Sequence, residues 1–142
     1  MPEPVFMGFD FGLRRIGVAI GQRLTGRATP LSTLKAEQGV PDWSIIRQLL
    51  CQWKPHALIV GLPTALDGSA LYTTALAANF ADELKRLSGL PTHLVDERLS
   101  TVEARSQLFE MGGYRKLKKS EIDSLAACII LEQWLIGHED VV

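Results

Sequence analysis

Two periodicities alternate along this chain. Residues 5–10 (VFMGFD) and 16–20 (IGVAI) are short, β-rich apolar runs on either side of a glycine-bearing turn at 11–15, which predicts a hairpin. A loop with two glycines covers 21–29. Residues 30–34 then predict a third strand, placed at a sheet edge because it opens with Pro30. From Asp42 the apolar spacing changes to three and four. Asp42 is the predicted N-cap of a helix that buries Ile45, Ile46, Leu49 and Leu50 and stops at Pro55. Residues 56–61 (HALIVG) form a compact apolar run of strand length, as expected for a strand buried on both faces. A loop at 62–69 leads to a long helix over 70–87, with Leu76, Phe80, Leu84 and Leu87 on one stripe and Ser88-Gly89 as its stop. A strand over 91–95 ends at Asp96-Glu97-Arg98. Ser100 and Glu103 have capping-box spacing for a helix to about residue 110, Met111-Gly112-Gly113 breaks it, and Ser120 caps a final helix to about residue 135. Three consecutive strands followed by alternating helices and strands predict one α/β domain over 1–142, a mixed sheet with helices on its faces.

Composition narrows the class. Lys plus Arg number 15 and Asp plus Glu number 16, a formal net charge of −1, so a uniformly basic nucleic-acid-binding coat is excluded. The 46% hydrophobic and 22% charged content is that of an ordinary globular chain. Cys51 and Cys128 lie in apolar segments without Cys-x-x-Cys spacing. They predict two buried thiols in a reducing compartment, not a disulfide scaffold or zinc knuckle. The first residues lack a basic stretch followed by an apolar run, and no apolar stretch approaches the roughly 18 residues of a membrane span. The expectation is a cytoplasmic protein with no membrane contact.

The candidate chemistry lies in carboxylates at element ends. Asp10 closes the first strand, where ligands gather at the rim of mixed sheets; the alternative is a turn aspartate bonded to its own backbone. Asp96 and Glu97 close the last strand, and alternation lets only one of them point into a shared site. Asp123 shares a helical row with Ala126, Ala127, Ile130 and Trp134, an apolar face where a carboxylate is costly unless a donor or cation meets it. It also stands three residues after Ser120, as the acidic member of a capping box would. Carboxylates gathered at one sheet edge resist joint ionisation without a cation, and hard oxygen ligands suit Mg²⁺ or Mn²⁺. Two such ions about 3.5–4 Å apart would activate a water and stabilise the leaving oxygen of a phosphodiester.

Four segments, GFDFGLRRIGVAI (8–20), IVGLPTALDGS (59–69), VDERLSTVEAR (95–105) and KSEIDSLAACIILEQWL (119–135), together resemble the YqgF family, also called RuvX. They occur in family order and span nearly the whole chain. DERLST followed by a helix carrying IDSLAA is the most specific part. The resemblance implies an RNase H-like fold with a five-stranded mixed sheet, ordered 3-2-1-4-5 along the chain and flanked by helices. It implies that Asp10, Glu97 and Asp123 are both catalytic residues and metal ligands, which settles the Asp96/Glu97 choice for Glu97. One departure is Gly21-Gln22, where many family members carry a Ser-Asp pair. The family is assigned to 5′-end processing of pre-16S rRNA in ribosome biogenesis, and also to Holliday junction resolution on DNA.

Basic residues cluster beside the three carboxylates in sequence. Arg14 and Arg15 follow Asp10, Arg98 follows Glu97, and Arg115, Lys116, Lys118 and Lys119 precede Asp123, seven of the 15 basic residues. They are candidate phosphate contacts. The expected partner is nucleic acid, either pre-rRNA or branched DNA. Ribosomal proteins or the pre-ribosome are expected to help place an RNA substrate, and the protein would act as a monomer or homodimer. Two other classes compete. An actin-like nucleotide phosphotransferase also carries Asp-x-Gly in its first hairpin, but uses two such domains where 142 residues supply one. A non-catalytic RNA-binding assembly factor would not need the carboxylates.

Overall fold

In the computed structural model, residues 4–63, 72–96 and 119–137 are described, with side chains of the last segment described from 125 to 136. The elements are β1 (Val5–Asp10), β2 (Arg15–Gln22), β3 (Arg27–Glu37), β4 (Val40–Pro41), α1 (Trp43–Trp53), β5 (Ala57–Leu62), α2 (Tyr72–Ser88), β6 (Thr92–Asp96) and α3 (Lys119–Gly137). The helix expected over 100–110 lies outside the described residues.

The strands form one six-stranded sheet in the order β4-β3-β2-β1-β5-β6. Neighbours from β1 to β4 pair antiparallel, and β1, β5 and β6 are parallel. With the two-residue β4 set aside, the order is the 3-2-1-4-5 arrangement that the resemblance implies. The third strand is longer than its apolar pattern shows and is not the outermost. Glu37 pairs with Val40 across Gln38 and Gly39, whose positive φ values of 51° and 84° make the tight two-residue connection that adds β4. Pro30 is accommodated within β3 because the β2–β3 register shifts between Val18 and Ala19, an irregularity that tolerates a residue without an N–H.

Alternation along β1 divides the core. Met7, Phe9 and Phe11 join Val18, Leu34, Leu58 and Val60 on one face, under Ile46 of α1 and Phe80 and Leu84 of α2. Phe6, Ala19 and Ile59 face the opposite way, under Ala127, Ile130, Leu131 and Trp134 of α3. Helices on both faces of parallel β5 explain its unbroken burial from Ala57 to Gly61. Each large side chain buried in these layers contributes about 1.5–3 kcal/mol. Phe80 gathers the first layer, with Phe9, Phe11 and Trp43 at ring distances of 5.8, 5.5 and 5.4 Å. Phe11, read from sequence as a turn residue, is therefore a core anchor for the β1–β2 turn.

Local chemistry sets the helix ends. Asp42 caps α1 by accepting from the Ser44 N–H at 3.0 Å and its hydroxyl at 2.6 Å, which holds the Asp42 carboxyl below its ordinary range. Lys54 ends α1 in the left-handed region, its N–H donating to Leu50 O, and Pro55 follows. Gly89, with φ +69°, closes α2 by donating to Lys85 O. Two expectations are corrected. Ile45 is 40% exposed, because the buried stripe of α1 centres on Ile46. Cys51 is exposed, since it falls on the outer side of the same helix, whereas Cys128 is buried under α3's contact with the sheet. Among the described residues no helix is long and apolar enough to cross a membrane.

Burial, reinforced by the nearby Glu132 carboxylate, pushes the Cys128 thiol up to about 12. Only the thiolate reacts readily, so a thiol reagent at pH 8 should modify Cys51 in the native protein and Cys128 only after unfolding. Two rapidly reacting thiols in the folded state would contradict this packing. The sign for stability follows: the unfolded thiol ionises near its ordinary value of 9.0 and the folded one near 12, so this contribution is complete below pH 9 and declines above it.

Candidate functional site

The end of β1 is the centre of the candidate site. Asp10 is half-buried and follows Phe6 and Gly8 on the α3 side of the strand. In register it lies opposite Gly17 of β2 on one side and Gly61 of β5 on the other. Gly17 in turn pairs with Thr33, and Gly61 with Val95. One row across the sheet thus reads Thr33, Gly17, Asp10, Gly61, Val95. The carboxylate stands between two positions that carry no side chain.

The approach of α3 depends on Gly8. A Cβ at that position would lie 2.9 Å from Leu131 Cβ and 3.2 Å from the Ala127 carbonyl. Further along, Trp134 meets Phe6 with rings 5.4 Å apart, so α3 runs opposite to β1, its N-terminal part toward Asp10. Four helical residues rise about 6 Å and two strand residues about 6.6 Å. The step from Ala127 back to Asp123 therefore matches the step from Gly8 forward to Asp10, and the α3 backbone carries position 123 to the level of Asp10. Gly21 serves the same approach on β2. A Cβ there would sit 3.0 Å from Leu131 Cδ2 and 3.2 Å from Leu135 Cδ1, so the Ser-Asp departure coincides with a tight helix contact.

Asp96 pairs with Leu62 at the end of β6 and is exposed; alternation turns it from the α3 side, where Val95 packs, to the other. Glu97, Arg98, Arg115, Lys116 and Lys118 lie outside the described residues, and Lys119 is placed by backbone alone as the first residue of α3. Arg14 is exposed in the β1–β2 turn and Arg15 opens β2. Both line a groove of about 810 Å³ at this end of the sheet, together with Lys35, Glu37 and Asp42. Lys35 is the basic residue that the sequence reading missed. Its signal was the alternation of β3, in which Lys35 flanks buried Leu34, but nothing in sequence reveals which strand it pairs with. His56 is exposed, and His93 packs on Trp134 at 5.0 Å, so neither belongs to the row around Asp10. Among the described residues, no group of three or more His, Cys, Asp or Glu is placed to hold a metal; of the three expected ligands, Glu97 lies outside them and Asp123 is placed by backbone alone.

The model of the family described as "RuvX: Holliday junction resolvase" matches residues 4–136. A protein of Legionella pneumophila (strain Paris), named "Putative pre-16S rRNA nuclease", is 63% identical over 98% of this chain and 100% of its own length. One of the same name from Klebsiella pneumoniae (strain ATCC 700721 / MGH 78578) is 54% identical over 91% of this chain and 94% of its own. Among solved structures, Thermus thermophilus RuvC in complex with Holliday junction substrate superposes with a TM-score of 0.59 at 17% identity, over 96% of each chain. The fowlpox virus Holliday junction resolvase does so with a TM-score of 0.55 at 9% identity, over 94% of this chain and 99% of that one. These likenesses establish the RNase H-like fold of RuvC-type resolvases.

Filling the space at Gly8 should act on both fold and site. Gly8→Ala is expected to destabilise the protein by about 1–3 kcal/mol, the usual cost of overpacking, because the meeting atoms are a helix carbonyl and a Cβ rather than a flexible side-chain end. Urea unfolding measures it. A loss under about 0.5 kcal/mol would show that α3 does not depend on this contact.

Proposed function

Because this chain belongs to the RuvX (YqgF) family, we propose that it is a divalent-metal-dependent nuclease that hydrolyses phosphodiester bonds in structured nucleic acid, acting in 5′-end processing of pre-16S rRNA. The observation that carries this reading is Asp10 itself, half-buried at the end of the central strand, flanked by Gly17 and Gly61, on the face to which α3 brings position 123. In this reading residues 1–142 act as one RNase H-like domain in the cytoplasm, with no membrane contact.

The donor chemistry fits a metal. Asp10, Glu97 and Asp123 would supply only carboxylate oxygens, the set that hard cations take, and the residues on either side of Asp10 in its row are glycines, which add no competing side chain. These three residues would hold Mg²⁺ or Mn²⁺, as two ions. When bound, such ions lower the pKa of a water and stabilise charge on the leaving oxygen. Like charges gathered at one site suppress each other's ionisation, so a cation among the three carboxylates would favour their charged form. Arg14, Arg15, Arg98, Arg115, Lys116, Lys118 and Lys119 bind the phosphates on either side of the scissile bond, fixing the substrate's register without reading its sequence.

A second reading is resolution of Holliday junctions in DNA, favoured by the family description and by the likeness to junction resolvases. It requires a symmetric dimer to cut two related strands, whereas rRNA trimming works with a monomer aided by ribosomal proteins or the pre-ribosome.

Asp10→Asn, Glu97→Gln and Asp123→Asn are each expected to lower cleavage about a hundredfold or more, the scale of several kcal/mol of cation-borne charge stabilisation. Each variant should keep the fold intact, which circular dichroism checks, so that the loss is one of chemistry. Full activity in any one, or in excess EDTA, would refute the metal-site mechanism. Cleavage of a pre-16S rRNA fragment but not of a four-way DNA junction, with both run alongside Asp10→Asn, is the result expected. The reverse outcome favours the resolvase, and rescue of a null strain by Asp10→Asn would favour a non-catalytic assembly factor.

A further inference from the structure

Arg15 and Lys35 are directly opposite each other on antiparallel β2 and β3. The Ala36 N–H donates to Arg14 O at 2.9 Å, a bond just outside the pair, so Arg15 and Lys35 form a non-hydrogen-bonded pair, the type that brings side chains closest. Both follow the row of Asp10 by two residues, Arg15 past Gly17 and Lys35 past Thr33, and so share the α3 side of the sheet with Asp10. From strand spacing and rise, Arg15 Cα lies about 8 Å from Asp10 Cα. Like charges directly opposite across two strands destabilise a sheet. Among the described residues, neither cation forms an ion pair. Of the two acids lining the same groove, Asp42 is engaged in capping α1 and Glu37 lies two residues beyond Lys35.

We propose that Arg15 and Lys35 form a phosphate clamp that takes one backbone phosphate of the nucleic acid beside the scissile one. This rests on the nuclease reading above and adds a binding residue from a strand that the family motifs do not include. An anion between the two side chains turns a repulsive pair into two charge-assisted contacts. The strain in the free protein is relieved only on binding. The phosphate backbone is common to RNA and DNA, so the clamp serves either substrate. It also gives the nucleic acid a path from Asp10 across β2 to β3, along the groove that Arg14 and Lys35 line.

The test uses the full chain with a hairpin RNA and a four-way DNA junction, titrated in EDTA so that no cleavage intervenes. Lys35→Gln should bind about tenfold more weakly, and its log–log salt slope should fall by about one. Lys35→Arg should restore both. The Arg15→Gln/Lys35→Gln double variant should bind no more than about twofold worse than either single variant, because the shared phosphate is lost only once. Without nucleic acid at low salt, Lys35→Gln should melt about 1–4 °C above the wild type as the repulsion is removed. Wild-type affinity and slope in Lys35→Gln, or a melting temperature at or below that of the wild type, overturns the clamp and leaves the nuclease reading standing. A wild type that binds neither probe overturns both.

Discussion

The close approach of α3 to the sheet is the contact on which the rest of this structure depends. It is a backbone contact as much as a side-chain one, since the Ala127 carbonyl and the Leu131 Cβ occupy the space that any side chain at Gly8 would fill. A helix seated this low on the central strand is held in register along it. Phe6 against Trp134 at one end of β1 and Gly8 against Leu131 in its middle leave the third position of that face, Asp10, for the start of the helix. Packing therefore decides which helical residue reaches the level of the strand-end carboxylate. The small residues Gly8, Gly21 and Ala127 give up buried apolar area for that proximity.

The other face is built to a different standard. There Phe80 collects three aromatic partners, and α1 and α2 bury bulky residues over Met7, Phe9, Val18 and Val60. That layer supplies ordinary hydrophobic stability and, through Phe11, anchors the turn that carries Arg14 and Arg15. One strand thus ties a rigid core on one side to a carboxylate-bearing rim on the other. Strand alternation is what lets both occur within six residues.

Charge follows local helix rules away from this rim, whereas at the rim two cations are paired across strands. The Glu83–Arg86 pair on α2 is an exposed neighbour contact of little consequence, and Asp42 adds a cap where a helix needs one. At the Asp10 end, Arg15 and Lys35 stand opposite each other across two strands, and among the described residues neither forms an ion pair. Local rules are broken where ligands are expected to complete them. The net charge of −1 is compatible with this, because it excludes a basic coat but not a small cationic border.

Much of this was legible along the chain. The two periodicities located every described long element, and Asp42 and Gly89 marked helix ends, because these are encoded by neighbours in sequence; the strand order came only as what the family motifs imply. The extent of β3, the added strand β4, the exposure of Cys51 and the anchoring role of Phe11 were not, since each depends on what covers a segment rather than on its own pattern. Lys35 is the clearest case. Its residue type and alternation are local facts, but its position opposite Arg15 follows from strand register. Register is fixed by the β2–β3 irregularity and by the faces that the core must bury. Sequence alone determined the elements and the chemistry available at their ends. Only tertiary structure decided which of those ends meet, because pairing and packing act between residues far apart in the chain.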